Sequence, residues 1–151
     1  MVTEVRSRDT GKPVRLTNVT FRTANGPTVK CTAGEKAWVD IELTAMRDCE
    51  QVAVVIWFKD DSFYEVFNTS AERLGHPALT LREGQSATCT FELDLHLANG
   101  AFHLGVLLYR YDVQREYDHW FPVTTIFVAS ERDVRGSANL YPKVTRCDIS
   151  K

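Results

Sequence analysis

Ala101-Phe102-His103-Leu104-Gly105-Val106-Leu107-Leu108-Tyr109-Arg110-Tyr111 follows directly on Asn99-Gly100, a dipeptide that favours turns because both residues tolerate positive φ. Laid out as a strand, the segment sends Phe102, Leu104, Val106 and Leu108 to one side. His103, Gly105, Leu107, Tyr109 and Tyr111 go to the other. A strand that is half buried has one polar face, and this one has none. Gln51 to Lys59 behaves alike: Val52, Val54, Ile56 and Phe58 alternate with Ala53, Val55 and Trp57. A sheet centred on two such strands has one face for its own core and a second apolar, aromatic face that something must cover.

On either side of these segments the chain reads as further short strands. Val14 to Thr23 is followed by an Asn25-Gly26-Pro27 turn and an extended piece, Thr28 to Cys31. In Lys36 to Ala45, Val39, Ile41 and Leu43 alternate with Asp40, Glu42 and Thr44, a period of two. Asp60-Asp61 signals a hairpin that returns as Ser62 to Thr69. Ser70 to Pro77 reads as a short helical turn or a loose loop, Leu79 to Leu81 as a brief strand, and Gln85 to Leu95 as an amphipathic one. After Tyr111, Asp112 to Asp118 is expected to be a polar loop and Thr124 to Ala129 a strand. No segment sustains a helical period. About eight or nine short strands, with turns roughly every ten residues, predict an all-β fold: a single antiparallel, immunoglobulin-like β-sandwich, jelly-roll-like in its packing. Residues 1–13 are polar, end in Gly11-Lys12-Pro13 and read as a linker or flexible terminus. The sandwich is expected over 14–151.

Composition narrows the function. The 151 residues are 44% hydrophobic and 25% charged with a formal net charge of −2, ordinary values for one globular domain. Lys and Arg are scattered, which argues against nucleic acid or an anionic membrane as the main partner. No apolar run has the length of a membrane span, and the polar start Met1 to Arg6 does not read as a signal peptide. Cys31, Cys49, Cys89 and Cys147 form no Cys-x-x-Cys pair and are expected to be free thiols in a reducing cytosol. Asn18-Val19-Thr20 and Asn68-Thr69-Ser70 match the glycosylation sequon, read as chance in the absence of a secretion signal.

Catalytic patterns are missing. Gly11-Lys12 is followed by Pro13 where a phosphate loop needs a hydroxyl residue, and Arg6 stands where its first glycine belongs. His76, His96, His103 and His119 form neither His-x-His nor His-x-x-x-His, so no metal site is expected. Asp60, Asp61 and Glu65 have the composition of a turn rather than of two carboxyls facing each other across a sugar. With no Gly-x-Ser-x-Gly elbow either, the chain reads as a non-enzyme that needs no cofactor.

The positive signal is the aromatic face. Trp57, Tyr109 and Tyr111 are expected on one sheet surface, with Tyr117, Asp118, His119 and Trp120 folding over its edge from the loop that follows. Sugar rings present C–H faces that lie flat on aromatic rings, and their hydroxyls need planar donors and acceptors. Asn68, His103, Arg110, Asp118 and His119 are the polar candidates beside the rings. The same face suits a homodimer interface, and a structural dimerisation module is the alternative reading. Trp120-Phe121-Pro122 also reads as a plug closing one end of the sandwich, and Trp38 as a surface residue beside Asp40. A carbohydrate-active enzyme ranks below both.

Four segments, in this order and spacing, carry a resemblance: Val66-Phe67-Asn68-Thr69-Ser70, Gly100 to Tyr109, Glu116-Tyr117-Asp118-His119-Trp120, and Gly136-Ser137-Ala138-Asn139-Leu140-Tyr141-Pro142. Between about Val14 and Val144 the chain resembles the C-terminal domain of Wzt proteins, the nucleotide-binding subunits of the ABC transporters that export O-antigen polysaccharide in Gram-negative bacteria. The resemblance implies an immunoglobulin-like carbohydrate-binding module that recognises the finished O-polysaccharide. It also implies homodimerisation by exchange of a C-terminal strand, for which residues 136–146 are suited. The remaining partners would be an attached ATPase domain and a membrane transporter subunit, with no nucleic acid. The location would be cytoplasmic, peripheral to the inner membrane through the transporter. The resemblance assigns no binding residue; those named above rest on the strand faces.

Overall fold

The computed structural model describes residues 11–149. Residues 1–10 of the expected linker therefore lie outside the described residues, as do 150 and 151. The described chain contains ten strands and no helix: β1 Val14–Thr23, β2 Gly26–Pro27, β3 Lys30–Thr32, β4 Lys36–Ala45, β5 Cys49–Lys59, β6 Glu65–Ser70, β7 Leu79–Leu81, β8 Ser86–Asp94, β9 Gly100–Arg110 and β10 Arg115–Ala129. They form two facing sheets. One has the order β2-β1-β4-β8, and the other β3-β10-β9-β5-β6 with β7 paired to the start of β5. Every pairing is antiparallel except β3 with β10.

Alternation explains the first sheet. Val39, Ile41 and Leu43 of β4 are fully buried, while Asp40, Glu42 and Thr44 face away from the core. On that outer side Arg22 of β1 donates to Asp40 at 2.6 Å, and Thr90 of β8 donates to the same carboxylate at 2.8 Å. Trp38 is held there as well, with the Arg22 guanidinium 5.0 Å from its ring centre and its indole N–H donating to Glu92. Each such cross-strand pair adds a few tenths of a kcal/mol to about 1 kcal/mol.

The second sheet is apolar on both sides. Val54, Ile56 and Phe58 of β5 meet Phe102, Leu104, Val106 and Leu108 of β9 on the core side, all at most 2% exposed. The opposite side carries Ala53, Val55 and Trp57 on β5 and His103, Gly105, Leu107 and Tyr109 on β9. It is the outer surface of the sandwich.

The segment after Tyr111 departs from expectation. Asp112 to Gln114 make a tight turn, and β10 then runs from Arg115 to Ala129, so Tyr117, Asp118, His119 and Trp120 are strand residues, not loop residues. Arg115 to Asp118 are polar, and Pro122 lacks the N–H a ladder needs, so the stretch does not read as a strand. The ladder shifts between Glu116 and Asp118 and again between Trp120 and Thr124, where the Phe121–Pro122 peptide is cis. Past Ala129, residues 130–149 form no named strand. Ala138 makes an isolated bridge to Leu97, and buried Asn139 donates its N–H to the carbonyl of His96 at 3.0 Å. No helix among the described residues is long and apolar enough to cross a membrane.

Candidate functional site

The outer face of the second sheet is built around a missing side chain. Register places Trp57 opposite Gly105 on one side and Asn68 on the other. A Cβ at residue 105 would run into the indole of Trp57 and come within 2.8 Å of the Phe121 ring. Glycine therefore lets Trp57 lie across β9, a use of a strand-interior glycine for close approach. Phe121 continues the surface, its ring 5.7 Å from that of Trp57 with only 17° between the planes. Such a stack contributes roughly 0.5–1.5 kcal/mol beyond the area it buries. The Lys59 ammonium lies 5.2 Å from the centre of the Phe121 ring.

Polar groups border this stack. His103 Nδ1 is 2.8 Å from the Thr125 hydroxyl, and its Nε2 is 2.9 Å from Asp61 at the β5–β6 turn. A neutral ring satisfies both bonds when Nε2–H donates to Asp61 and the Thr125 hydroxyl donates to Nδ1. Phe63, from the same turn, lies 5.8 Å from the His103 ring. At the other end of β9, six residues and about 20 Å along the strand from His103, Tyr109 meets Tyr111 edge-on at 5.0 Å. The turn after β6 lays Arg73 over Tyr111 at 5.6 Å. Between the two ends stand Leu107 and, opposite it on β10, His119, whose Nδ1 is 2.6 Å from Glu116. Trp57, Phe121, Tyr109 and Tyr111 are all half-buried, so the face is a platform open to solvent with rings at both ends.

The Wzt C-terminal domain family model matches residues 5–140 of the chain. The chain belongs to the Wzt C-terminal domain family. A solved C-terminal domain of Wzt superposes with a TM-score of 0.83 at 14% identity, covering 97% of this chain and 91% of that one. More distant likenesses are a Niemann-Pick type C2 protein from the Japanese carpenter ant and a glycoside hydrolase family 2 β-glucuronidase. The first has a TM-score of 0.58 at 7% identity, covering 83% of this chain and 99% of that one. The second has a TM-score of 0.54 at 10% identity, covering 77% of this chain but only 13% of that one. At these identities the structural likenesses show the sandwich fold alone. A search of curated protein sequences gave no match.

In this Wzt-type sandwich the residues named from sequence divide into two groups. Trp57, Asn68, His103, Tyr109, Tyr111 and His119 share the outer face. Arg110 points to the opposite side from Tyr109. There it donates to Asp112 at 2.7 Å and is neighboured by Glu50 at 3.7 Å, and the hydrogen bond to Asp112 raises its pKa further. It lines a polar cavity of about 490 Å³ with Arg47, Arg82 and Arg115. Tyr117, Asp118 and Trp120 are buried and are corrections to the expected edge loop. The Tyr117 hydroxyl donates to the carbonyl of Glu50 at 2.8 Å. Asp118 accepts from Lys12 Nζ at 2.6 Å, from the N–H of Leu16 at 2.8 Å and from the N–H of His119 at 2.9 Å, tying β10 to β1. Trp120 packs in the core, so Trp120 and Phe121 face opposite sides of the sheet instead of forming one plug.

Sequence reasoning missed Lys59, Asp61, Phe63, Arg73, Phe121 and Thr125. Gly105 was the available signal, because a glycine inside an apolar strand marks a close approach. Elsewhere, a cavity of about 210 Å³ opens between the edges of β6 and β8, lined by Phe58, Phe67, Leu93, Leu95 and Leu97. Asp94, His96 and Ser137 stand at its rim, but its walls are mainly aliphatic and lack the stacked pair of rings found on the outer face. Among the described residues no group of three or more His, Cys, Asp or Glu is arranged to hold a metal ion.

Proposed function

We propose that the domain binds bacterial O-antigen polysaccharide on the outer face of its second sheet, without catalysis, and gives an ABC exporter its substrate recognition. One observation carries the reading. In a member of the Wzt C-terminal domain family, Trp57 lies over Gly105 against Phe121, open to solvent and bordered by His103, Asp61, Lys59 and Asn68. Flat rings supply stacking for sugar C–H faces, and the imidazole, carboxylate, ammonium and amide supply bonds to hydroxyls. A platform open along β9 suits a polymer, which must run past a site rather than enter it. Tyr109 and Tyr111 offer a second stacking surface for residues further along the chain.

In this proposal the domain works beside an attached ATPase domain and a membrane transporter subunit, in the cytoplasm and peripheral to the inner membrane. Residues 136–146 join two copies by exchange. Bound polysaccharide favours one arrangement of the attached ATPases, which requires a different affinity for the two arrangements. The charged and hydrogen-bonding groups among the rings weigh against a dry dimer contact on this face, since interface cores are depleted of charge. Affinity electrophoresis in gels containing O-polysaccharide, run with wild type, Trp57→Ala and Tyr109→Ala, tests the reading. Retardation of wild type that both variants lose supports it. If both variants are retarded like wild type while the dimer dissociates, the face is an interface between copies.

A further inference from the structure

We infer that the glycan this face takes is anionic, its carboxylate or phosphate groups meeting Lys59 at one end and Arg73 at the other. The inference rests on the proposal that the face binds polysaccharide. Its ground is how charge is distributed over the platform. The acids there are already engaged: Asp61 with His103 Nε2 at 2.9 Å, Glu116 with His119 Nδ1 at 2.6 Å, and Glu65 accepting from the Asn68 amide at 3.3 Å. The two cations are not. Among the described residues, no carboxylate lies within ion-pair distance of Lys59 or Arg73, and each rests instead on an aromatic ring, Phe121 or Tyr111.

A cation on a ring keeps its hydrogen-bond donors for a further acceptor, because the ring attracts it through the quadrupole without taking up its N–H groups. Each cation sits where a stacked sugar would place its substituents, since Phe121 is stacked with Trp57 and Tyr111 packs on Tyr109. Register puts Lys59 opposite His103 and Ala53 opposite Tyr109, so the two ends lie on the order of 20 Å apart along the strands. That separation matches charges repeated along a polymer better than a single charged end group. A neutral glycan would offer the two cations hydroxyl oxygens but no opposite charge. A guanidinium also suits the planar, two-oxygen geometry that carboxylate and phosphate share.

The test is titration of the full chain with three polymers: polygalacturonate for carboxylate, a phosphomannan for phosphate diester, and neutral mannan. Expected is tighter binding of at least one anionic polymer than of mannan, weakening as salt rises from 50 to 500 mM. Lys59→Ala and Arg73→Ala each lower that affinity about tenfold, Lys59→Arg restores most of it, and each alanine variant weakens mannan binding by far less. Which anionic polymer responds tells carboxylate from phosphate. Mannan bound as well as or better than both anionic polymers, with Trp57→Ala abolishing it and Lys59→Ala costing the anionic polymers no more than mannan, overturns the anionic inference while polysaccharide binding on this face stands. If no polymer binds and Trp57→Ala changes nothing, the reading of the face itself falls, and the inference with it.

Discussion

A methyl group in place of the hydrogen on the Gly105 α-carbon has nowhere to go, because the Trp57 indole and the Phe121 ring already occupy the space. Gly105→Ala is therefore expected to lift Trp57 off β9 and to cost about 1–3 kcal/mol, the usual penalty of overpacking. Urea melts read the stability, and a red shift in tryptophan emission reads the displaced ring; an unchanged spectrum would contradict the packing described. Asp118 poses the opposite case. Its carboxylate holds an ammonium and two backbone N–H groups at the buried join of β10 and β1. Asp118→Ala should lower stability by about 1–3 kcal/mol yet leave affinity for polysaccharide untouched. A selective loss of binding would return the residue to the site. Burial, helped by the nearby Glu35 carboxylate, pushes the Cys31 thiol up to about 11. In wild type at pH 8, Cys31 should stay unreacted with a disulfide reagent until the protein unfolds, while exposed Cys147 reacts at once.

At the scale of strands, the sheets show which parts of the fold a sequence pattern can carry. β4 and β8 alternate cleanly, and β5 and β9 are doubly apolar, so their faces follow from period alone. β10 does not, because its register shifts twice and Pro122 interrupts it; the one-residue shift between Glu116 and Asp118 exchanges the faces that simple alternation assigns. That is why Tyr117 and Trp120 looked like groove residues and turned out to be core. The candidate site was readable where it lies on β5 and β9. It was hidden where it depends on which strands are neighbours: Trp57, Gly105 and Phe121 meet through pairings remote in sequence. The outer ladder of the first sheet has its own signature. The hydrogen bond from Arg22, with a lesser one from Thr90, holds the Asp40 carboxyl below its usual 3.8. The folded state thus takes up that proton less readily than the unfolded chain, so the contribution is complete above pH 3.8 and disappears as pH falls through the lower folded value. The stability difference between wild type and Arg22→Ala should accordingly be constant at neutral pH and shrink below pH 3.8. A difference that grows in acid would contradict the assignment.

Seen whole, the molecule divides its labour between two sheets. The β2-β1-β4-β8 sheet closes the core and turns charged side chains outward. The larger sheet packs its inner face on the same core and turns a second, ring-bearing face outward. The 137–139 segment docks beside His96 and Leu97, near the β6–β8 edge and away from the Trp57 platform, so a partner joined there and a glycan on the outer face do not compete for surface. Membership of the Wzt C-terminal domain family fits that division. Backbone amide shifts followed while O-polysaccharide is titrated into the full chain locate the partner on the molecule. The outer face as the binding surface predicts saturable changes clustered at Trp57, Lys59, His103, Gly105 and Phe121, extending towards Tyr109. Changes confined to the β6–β8 edge around Phe67 and Leu97, or no changes at saturating polysaccharide, would contradict it.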